Sequence, residues 1–166
     1  MNERVDRLLD ILEEEKELYR SLLAVCQDEE RALIRTNLKE LNEKSKKKEN
    51  LILKVRILEE QRLHVLKRID DSLGGRAPHA TLLELSQMLD EPYSSRLEEY
   101  HSDLSSLIQS ITEINLTNKD LITHSVGLVK DSMLFLNNFI TMSPIYYRTG
   151  KIHHSEGSGF VLSGKI

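Results

Sequence analysis

Apolar residues in the first part of the chain recur every three or four positions, which is the repeat of an amphipathic α-helix. The pattern predicts a first helix of about 33 residues that continues through one polar turn at Glu15-Lys16. Its charged residues interleave in sign, so we expect its outer face to be solvated. The apolar stripe of this helix comprises Val5, Leu8, Leu12, Tyr19, Leu22, Cys26 and Leu33.

The pattern is interrupted at Arg35-Thr36-Asn37. Asn37 followed by Glu40 has the spacing of a capping box, in which side chains satisfy backbone amides at the start of a helix. We therefore predict a tight break here. Because no breaker residue forces a turn, a continuous helix remains the alternative. A second helix is predicted from Leu38 to about Leu73, ended by Gly74-Gly75. Its stripe comprises Leu38, Leu41, Leu51, Val55, Leu58, Val65 and Ile69.

A connector follows from Arg76 to Tyr93, where two of the three prolines lie. Within it, Thr81 and Glu84 have the spacing of a second capping box. This pattern predicts a short helix, Leu82–Leu89, inside the connector.

A third long helix is expected to be capped by Ser94 or Ser95 and to end near Thr141. After Ser143-Pro144 the helical period is lost, and four of the seven glycines lie in Ile145–Ile166. The third helix has the most regular stripe in the chain: Leu97, Tyr100, Leu104, Leu107/Ile108, Ile111, Ile122, Val126, Val129, Met133, Leu136 and Ile140.

These elements predict an all-α fold, an elongated antiparallel bundle or coiled coil of three long helices. A short connector helix and an extended C-terminal tail complete the prediction. We expect residues 1–142 to form a single helical domain and residues 143–166 to form a flexible tail.

Composition and charge narrow the classes of function. The chain has 166 residues and a formal charge of -4, which gives no general attraction for nucleic acid. The basic run Lys46-Lys47-Lys48 is largely cancelled by neighbouring carboxylates, so a solvated helix face is favoured over a nucleic-acid site. No apolar run approaches the ~20 residues that span a bilayer, and no secretory leader is evident. With Cys26 as the sole cysteine, interpreted as a small buried hydrophobe, we expect a cytoplasmic protein.

Motifs for catalysis are weak. The sequence has no glycine-rich phosphate-binding loop, and one cysteine excludes a thiolate zinc site. Glu98 and His101 have the Glu-x-x-His spacing of di-iron helical bundles, but that chemistry needs a second such pair. His64 and His124 have no Glu three residues earlier. We therefore expect no catalytic activity, cofactor or metal, and a di-iron enzyme is a distant third alternative.

Two amides interrupt the stripe of the third helix. Counting from Ile111 by four and three residues, Asn115 and Asn118 fall on the apolar seam before Ile122. Buried amides cost stability unless they are hydrogen-bonded. A polar layer that fixes helix register is the favoured interpretation, and contact with a partner's backbone is the alternative.

The chain resembles the FlgN-like flagellar export chaperones. Four features, in the same order as in that family, carry the resemblance: Ala32-Leu33-Ile34-Arg35-Thr36-Asn37-Leu38-Lys39-Glu40-Leu41, Glu60-Gln61-Arg62, the Asn115…Asn118…Leu121-Ile122 group, and Tyr147-Arg148-Thr149-Gly150-Lys151. The resemblance implies a cytoplasmic chaperone that binds hook–filament junction proteins, through their helical terminal segments, before type III export. The resemblance is also compatible with the export apparatus as a second partner.

In that family the C-terminal part is the main substrate-binding region, so the resemblance implies that the partner binds the end of the third helix and the tail. The competing interpretation is a self-associating coiled-coil scaffold without a client, and the oligomeric state stays open. For each helix residue, a place in the core is as good an interpretation as a place in a binding surface. The expected partner-binding residues are Leu128, Val129, Met133, Leu136, Ile140, Tyr146, Tyr147, Phe160, Val161 and Leu162.

Overall fold

The computed structural model describes residues 2–72 and 81–142, with the backbone alone described at 141 and 142. Four helices make up this part of the chain: α1 (Asn2–Ile34), α2 (Leu38–Ser72), α3 (Leu82–Ser86) and α4 (Tyr93–Met142). Within the described ranges there is no β-strand, which confirms the all-α fold with three long helices and a short one. The expected tail, 143–166, lies outside the described residues.

The chain divides into two compact units, Met1–Ile122 and Thr123–Ile166, and the division falls within α4. The first unit contains α1, α2, α3 and the part of α4 that ends at Ile122. The described part of the second unit is the helix from Thr123 onward.

A tight turn separates α1 from α2, as the Asn37–Glu40 spacing predicts. Thr36 has a φ of 55°, and its N–H donates to the carbonyl of Leu33 at 3.0 Å. The N–H of Asn37 reaches back to the carbonyl of Ala32 at 2.9 Å, which completes a helix-ending Schellman motif. Asn37 Oδ1 then accepts the N–H of Glu40 at 3.2 Å and so caps α2. A continuous helix is therefore excluded.

The short helix is shorter than predicted. Its capping box is present, because Thr81 Oγ1 accepts the N–H of Glu84 and Glu84 Oε2 accepts the N–H of Thr81. The α-helix nevertheless ends at Ser86, three residues before Leu89. The amides of Met88 and Leu89 bond three residues back rather than four, to Leu85 at 3.1 Å and to Ser86 at 3.4 Å, so the chain leaves the α-helix as a tighter turn.

The start of α4 also differs from the prediction. Neither Ser94 nor Ser95 precedes the helix, because α4 already begins at Tyr93. The carbonyl of Asp90 accepts the N–H groups of both Tyr93 and Ser94, at 3.1 and 3.4 Å. Ser95 lies in the first turn, where its hydroxyl donates to the Glu91 carboxylate. The predicted cap lies one or two residues after the actual start of α4. The reason is that the sequence does not show which backbone carbonyl accepts the first N–H groups of the helix.

The core of the first unit lies between α1, α2 and the first part of α4. Tyr100 on α4 donates to Glu13 on α1 at 2.7 Å, and Asn118 reaches Cys26 further along both helices, so α4 runs in the same direction as α1. α2 runs in the opposite direction and packs along α1. Two apolar clusters fill the interior: one contains Val5, Leu8, Leu9, Leu12, Ile69, Leu82, Leu85, Leu97 and Leu104, and the other contains Leu22, Val25, Cys26, Leu51 and Ile111.

Most of the predicted stripe residues up to Ile111 are buried, but Leu38 and Ile108 are exposed. Leu38, expected to start the stripe of α2, is 73% exposed because it directly follows the turn. Ile108 is also exposed, and Leu107 beside it is only partly covered.

The core residues of each long helix recur every seven positions, and some of these positions carry polar side chains. The helices contact each other along positions that recur every heptad, as in antiparallel coiled coils. In α1 these positions are Leu8, Glu15, Leu22 and Glu29; in α2 they are Lys48, Val55, Arg62 and Ile69; in α4 they are Leu97, Leu104, Ile111 and Asn118.

Candidate partner-binding surface

The terminal α4 segment, residues 123–142, carries many large apolar side chains that are exposed to solvent. Met133 is 64% exposed and Ile140 is 71% exposed. Besides His124, the only ionisable residues in the segment are Lys130 and Asp131. A large exposed apolar surface with little charge is the kind of surface that partners cover, because desolvating it is favourable.

All five expected binding residues within the described chain lie on this segment and are exposed: Leu128, Val129, Met133, Leu136 and Ile140. Four of them, with Val126, recur at spacings of three and four and therefore form one stripe along the helix. We call this set the terminal stripe: Val126, Val129, Met133, Leu136 and Ile140.

Leu128 lies on a different face, one that the stripe pattern missed. It shares that face with Phe135 and Phe139, seven and eleven residues further on. The two rings stack with centroids 6.4 Å apart and an interplanar angle of 24°. The i, i+4 spacing of the two phenylalanines was the signal in the sequence that could have identified this face. The remaining expected residues, Tyr146, Tyr147, Phe160, Val161 and Leu162, lie outside the described residues.

The two seam asparagines form part of a polar layer within the first unit. Asn118 is buried, and its Nδ2 donates to the backbone carbonyl of Cys26 at 2.9 Å. Asn115 Oδ1 accepts from Lys48 Nζ at 2.6 Å, so α4 is bonded to both α1 and α2. Both amides thus bond within the chain, the arrangement of a register-fixing layer.

A partly buried ion pair completes this layer. Lys48 Nζ lies 2.7 Å from Glu29 Oε2, and Ser45 Oγ donates to Glu29 Oε1 at 3.0 Å. Lys48 belongs to the basic run that was expected to be solvated. That expectation was wrong for Lys48, because Glu29 and Asn115 provide the acceptors that an ammonium needs away from water. Cys26 is buried beside them, and desolvation raises the pKa of its thiol.

A second polar layer lies two heptads from the first along α1, and it was not predicted from the sequence. Glu15 is 1% exposed, and its Oε1 lies 3.3 Å from Arg62 Nε. The two charges attract, but neither atom forms a hydrogen bond. Burial raises the pKa of Glu15 to about 7, while Arg62 acts against that rise. Glu15 and Glu29 lie seven residues before and after Leu22. This spacing was the signal in the sequence that could have predicted their burial.

The described residues offer no metal centre. No group of three or more His, Cys, Asp or Glu side chains is placed to hold an ion in the two described ranges. Glu98 of the Glu-x-x-His pair instead accepts the Ser86 hydroxyl at 3.4 Å. Among the helices described here, none has a stretch of length and apolarity sufficient to cross a bilayer.

Comparison with protein families identifies the chain. The profile of the family described as FlgN protein matches residues 1–154. The chain belongs to the FlgN family. FlgN is a chaperone family, not an enzyme family, and membership implies that the chain is a flagellar export chaperone. A search of curated proteins and a search of solved structures found no match.

Proposed function

We propose that the chain is a cytoplasmic export chaperone that binds hook–filament junction proteins before type III secretion. The observation that carries this proposal is the exposed terminal stripe, which is apolar and poor in charge. The client is a helical terminal segment that would otherwise self-associate.

The client helix lays its apolar face along the terminal stripe. Helix-in-groove recognition uses anchor residues at i, i+3, i+4 and i+7, which is the spacing of Val129, Met133 and Leu136. Fully burying a side chain of this size contributes about 1.5–3 kcal/mol, so a few anchors offset the entropic cost of association. Affinity then depends on how many of these anchors the client covers.

Leu128 and the residues that follow α4 extend the contact in this proposal. Tyr146 and Tyr147 act as aromatic anchors, because such side chains combine large apolar area with a polar group. Phe160, Val161 and Leu162 add a second apolar contact to the client. Any ordering that binding requires of these residues lowers the affinity and favours release at the export apparatus.

The test is calorimetric titration of the full chain with the helical terminal segment of a hook–filament junction protein. We expect saturable binding with a negative heat-capacity change, because apolar surface is buried. Met133→Asp should weaken the binding by at least about tenfold. The matched control is Leu116→Asp, which places the same charge at a similarly exposed apolar position of α4 outside the segment.

The control variant should change affinity by less than about twofold. Full binding by Met133→Asp with unchanged helicity would remove the terminal stripe from the site. Binding lost equally in both variants would indicate a general effect of charge on α4, and absence of any binding would remove the client proposal.

Self-association is the second candidate, because a second copy of the chain would also cover an exposed apolar stripe. Light scattering after gel filtration distinguishes the two. A mass that doubles as concentration rises, with no captured client, supports the scaffold. A constant monomer mass together with client binding supports the chaperone.

A further inference from the structure

A groove in the first unit, between α2 and α4, has exposed apolar residues on both walls. Leu63 on α2 is 62% exposed and Ile108 on α4 is 46% exposed. Leu66 and Leu104 lie deeper in the same groove, whose cavity measures about 380 Å³. Exposed large apolar residues on facing walls are typical of a surface that a partner covers.

The groove also contains the carboxylate of Glu59. Glu15 and Arg62 line the groove beside it. Arg62 is engaged with Glu15, and Glu59 has no ion pair among the residues that the structure describes. Glu59 Oε1 accepts a long hydrogen bond from the Tyr19 hydroxyl at 3.3 Å. A carboxylate with so little compensation favours a cationic neighbour.

We propose that the α2/α4 groove is a docking site for an amphipathic helix of a partner protein, whose apolar side chains pack between Leu63 and Ile108 while a Lys or Arg reaches Glu59. Two long antiparallel helices form the walls, and a third helix packs naturally into the groove between such a pair. The charge of Glu59 fixes the chemistry of the occupant, since a neutral or acidic helix would leave this carboxylate uncompensated.

This surface shares no residue with the terminal stripe, so the proposal goes beyond client binding. It gives the chaperone a second protein contact formed by residues of the first unit alone. Apolar walls supply most of the affinity, and the Glu59 contact supplies selectivity for a basic helix.

The experiment uses the full chain and two synthetic helical peptides of about 18 residues. Both carry Leu at i, i+3, i+4 and i+7, and they differ at one flanking position, Lys in one and Glu in the other. Calorimetric titration should show the Lys peptide binding at least about fivefold more tightly. Glu59→Gln should reduce that preference to less than about twofold, because it removes the charge and leaves the apolar walls intact.

The apolar walls are tested with a matched pair of variants on α2. Leu63→Asp should weaken binding of the Lys peptide by at least about tenfold, whereas Leu53→Asp should change it by less than about twofold. Leu53 is the control because it is 55% exposed on the same helix and does not line the groove. Met133→Asp should leave the peptide affinity unchanged, which separates this proposal from the client proposal.

Four results would overturn the inference. Equal affinity for the two peptides removes the role of Glu59. Equal losses in Leu63→Asp and Leu53→Asp, or loss in Met133→Asp alone, place the peptide elsewhere. Binding of neither peptide removes the docking site altogether.

Discussion

Asn118 on α4 donates its side-chain amide to the backbone carbonyl of Cys26 on α1, 2.9 Å away and 92 residues apart in sequence. Asn118 Oδ1 is buried without a hydrogen bond of its own. The residue therefore contributes one good bond at the cost of one unsatisfied oxygen. We propose that such an arrangement specifies a register more than it adds stability.

Replacement of Asn118 tests that balance. Asn118→Leu should change the free energy of unfolding by no more than about 1 kcal/mol, because the lost bond is offset by removal of the unsatisfied oxygen. Asn118→Asp should lower it by about 3 kcal/mol, because a buried carboxylate would face a carbonyl. Urea unfolding measures both. A Leu variant less stable than the Asp variant would contradict the interpretation.

The Glu29–Lys48 pair should couple more strongly than surface pairs do. A double-mutant cycle with Glu29→Gln and Lys48→Met should give a coupling energy of about 1–3 kcal/mol, because Glu29 is buried and Lys48 is largely shielded from water. The control cycle uses Glu17 and Arg20, which are also ion-paired but exposed. Their coupling should stay below about 0.5 kcal/mol, and equal values in the two cycles would rule out a special role for the buried pair.

The bounds of the long helices were predictable because apolar spacing and breaker residues are local features. α1 and α2 end within a residue or two of their predicted limits, and the turn at Thr36 follows from the capping pattern of Asn37 and Glu40. The errors in the helix bounds are confined to the connector between α2 and α4. The end of α3 and the start of α4 depend on which carbonyls accept amides in the connector, and residue types do not reveal that.

The polar layers could not be predicted one helix at a time. Glu15 interrupts the stripe of α1 and was interpreted as a polar turn, yet Arg62 and the surrounding side chains bury it. Likewise, a stripe such as Met133 to Ile140 has the same pattern whether it is core or surface. Only tertiary contacts distinguish the two, and in the structure these residues are exposed.

Thr36 is a strained position that can be improved. A β-branched residue in the left-handed region, here with a φ of 55°, carries about 1–2 kcal/mol of steric cost. Thr36→Gly should remove that cost and lose part of the gain to backbone entropy, for a net stabilisation of about 0.5 kcal/mol. Thermal unfolding should show a raised melting temperature. The neighbouring Arg35→Gly, which has no such strain to relieve, is the control and should be destabilising.

Glu15 should make stability depend on pH in a direction opposite to that of most carboxylates. Its pKa rises from 4.5 to about 7 because the side chain is buried. The folded chain therefore holds a proton that the unfolded chain releases as the pH passes 4.5. The resulting stabilisation is complete below pH 4.5, declines as the pH rises toward 7, and is absent above it.

Glu15→Gln should remove this pH dependence, because the amide does not titrate. Relative to the unmodified chain, the free energy of unfolding of the variant should rise by about 2–3 kcal/mol between pH 4.5 and pH 7.5, most of it before pH 7. Urea unfolding across this range measures the difference, and Glu14→Gln, at the exposed neighbour, should show no such rise. A pH-independent difference for Glu15→Gln would mean that Arg62 keeps the carboxylate ionised in the folded state, in which case burial would not control its protonation.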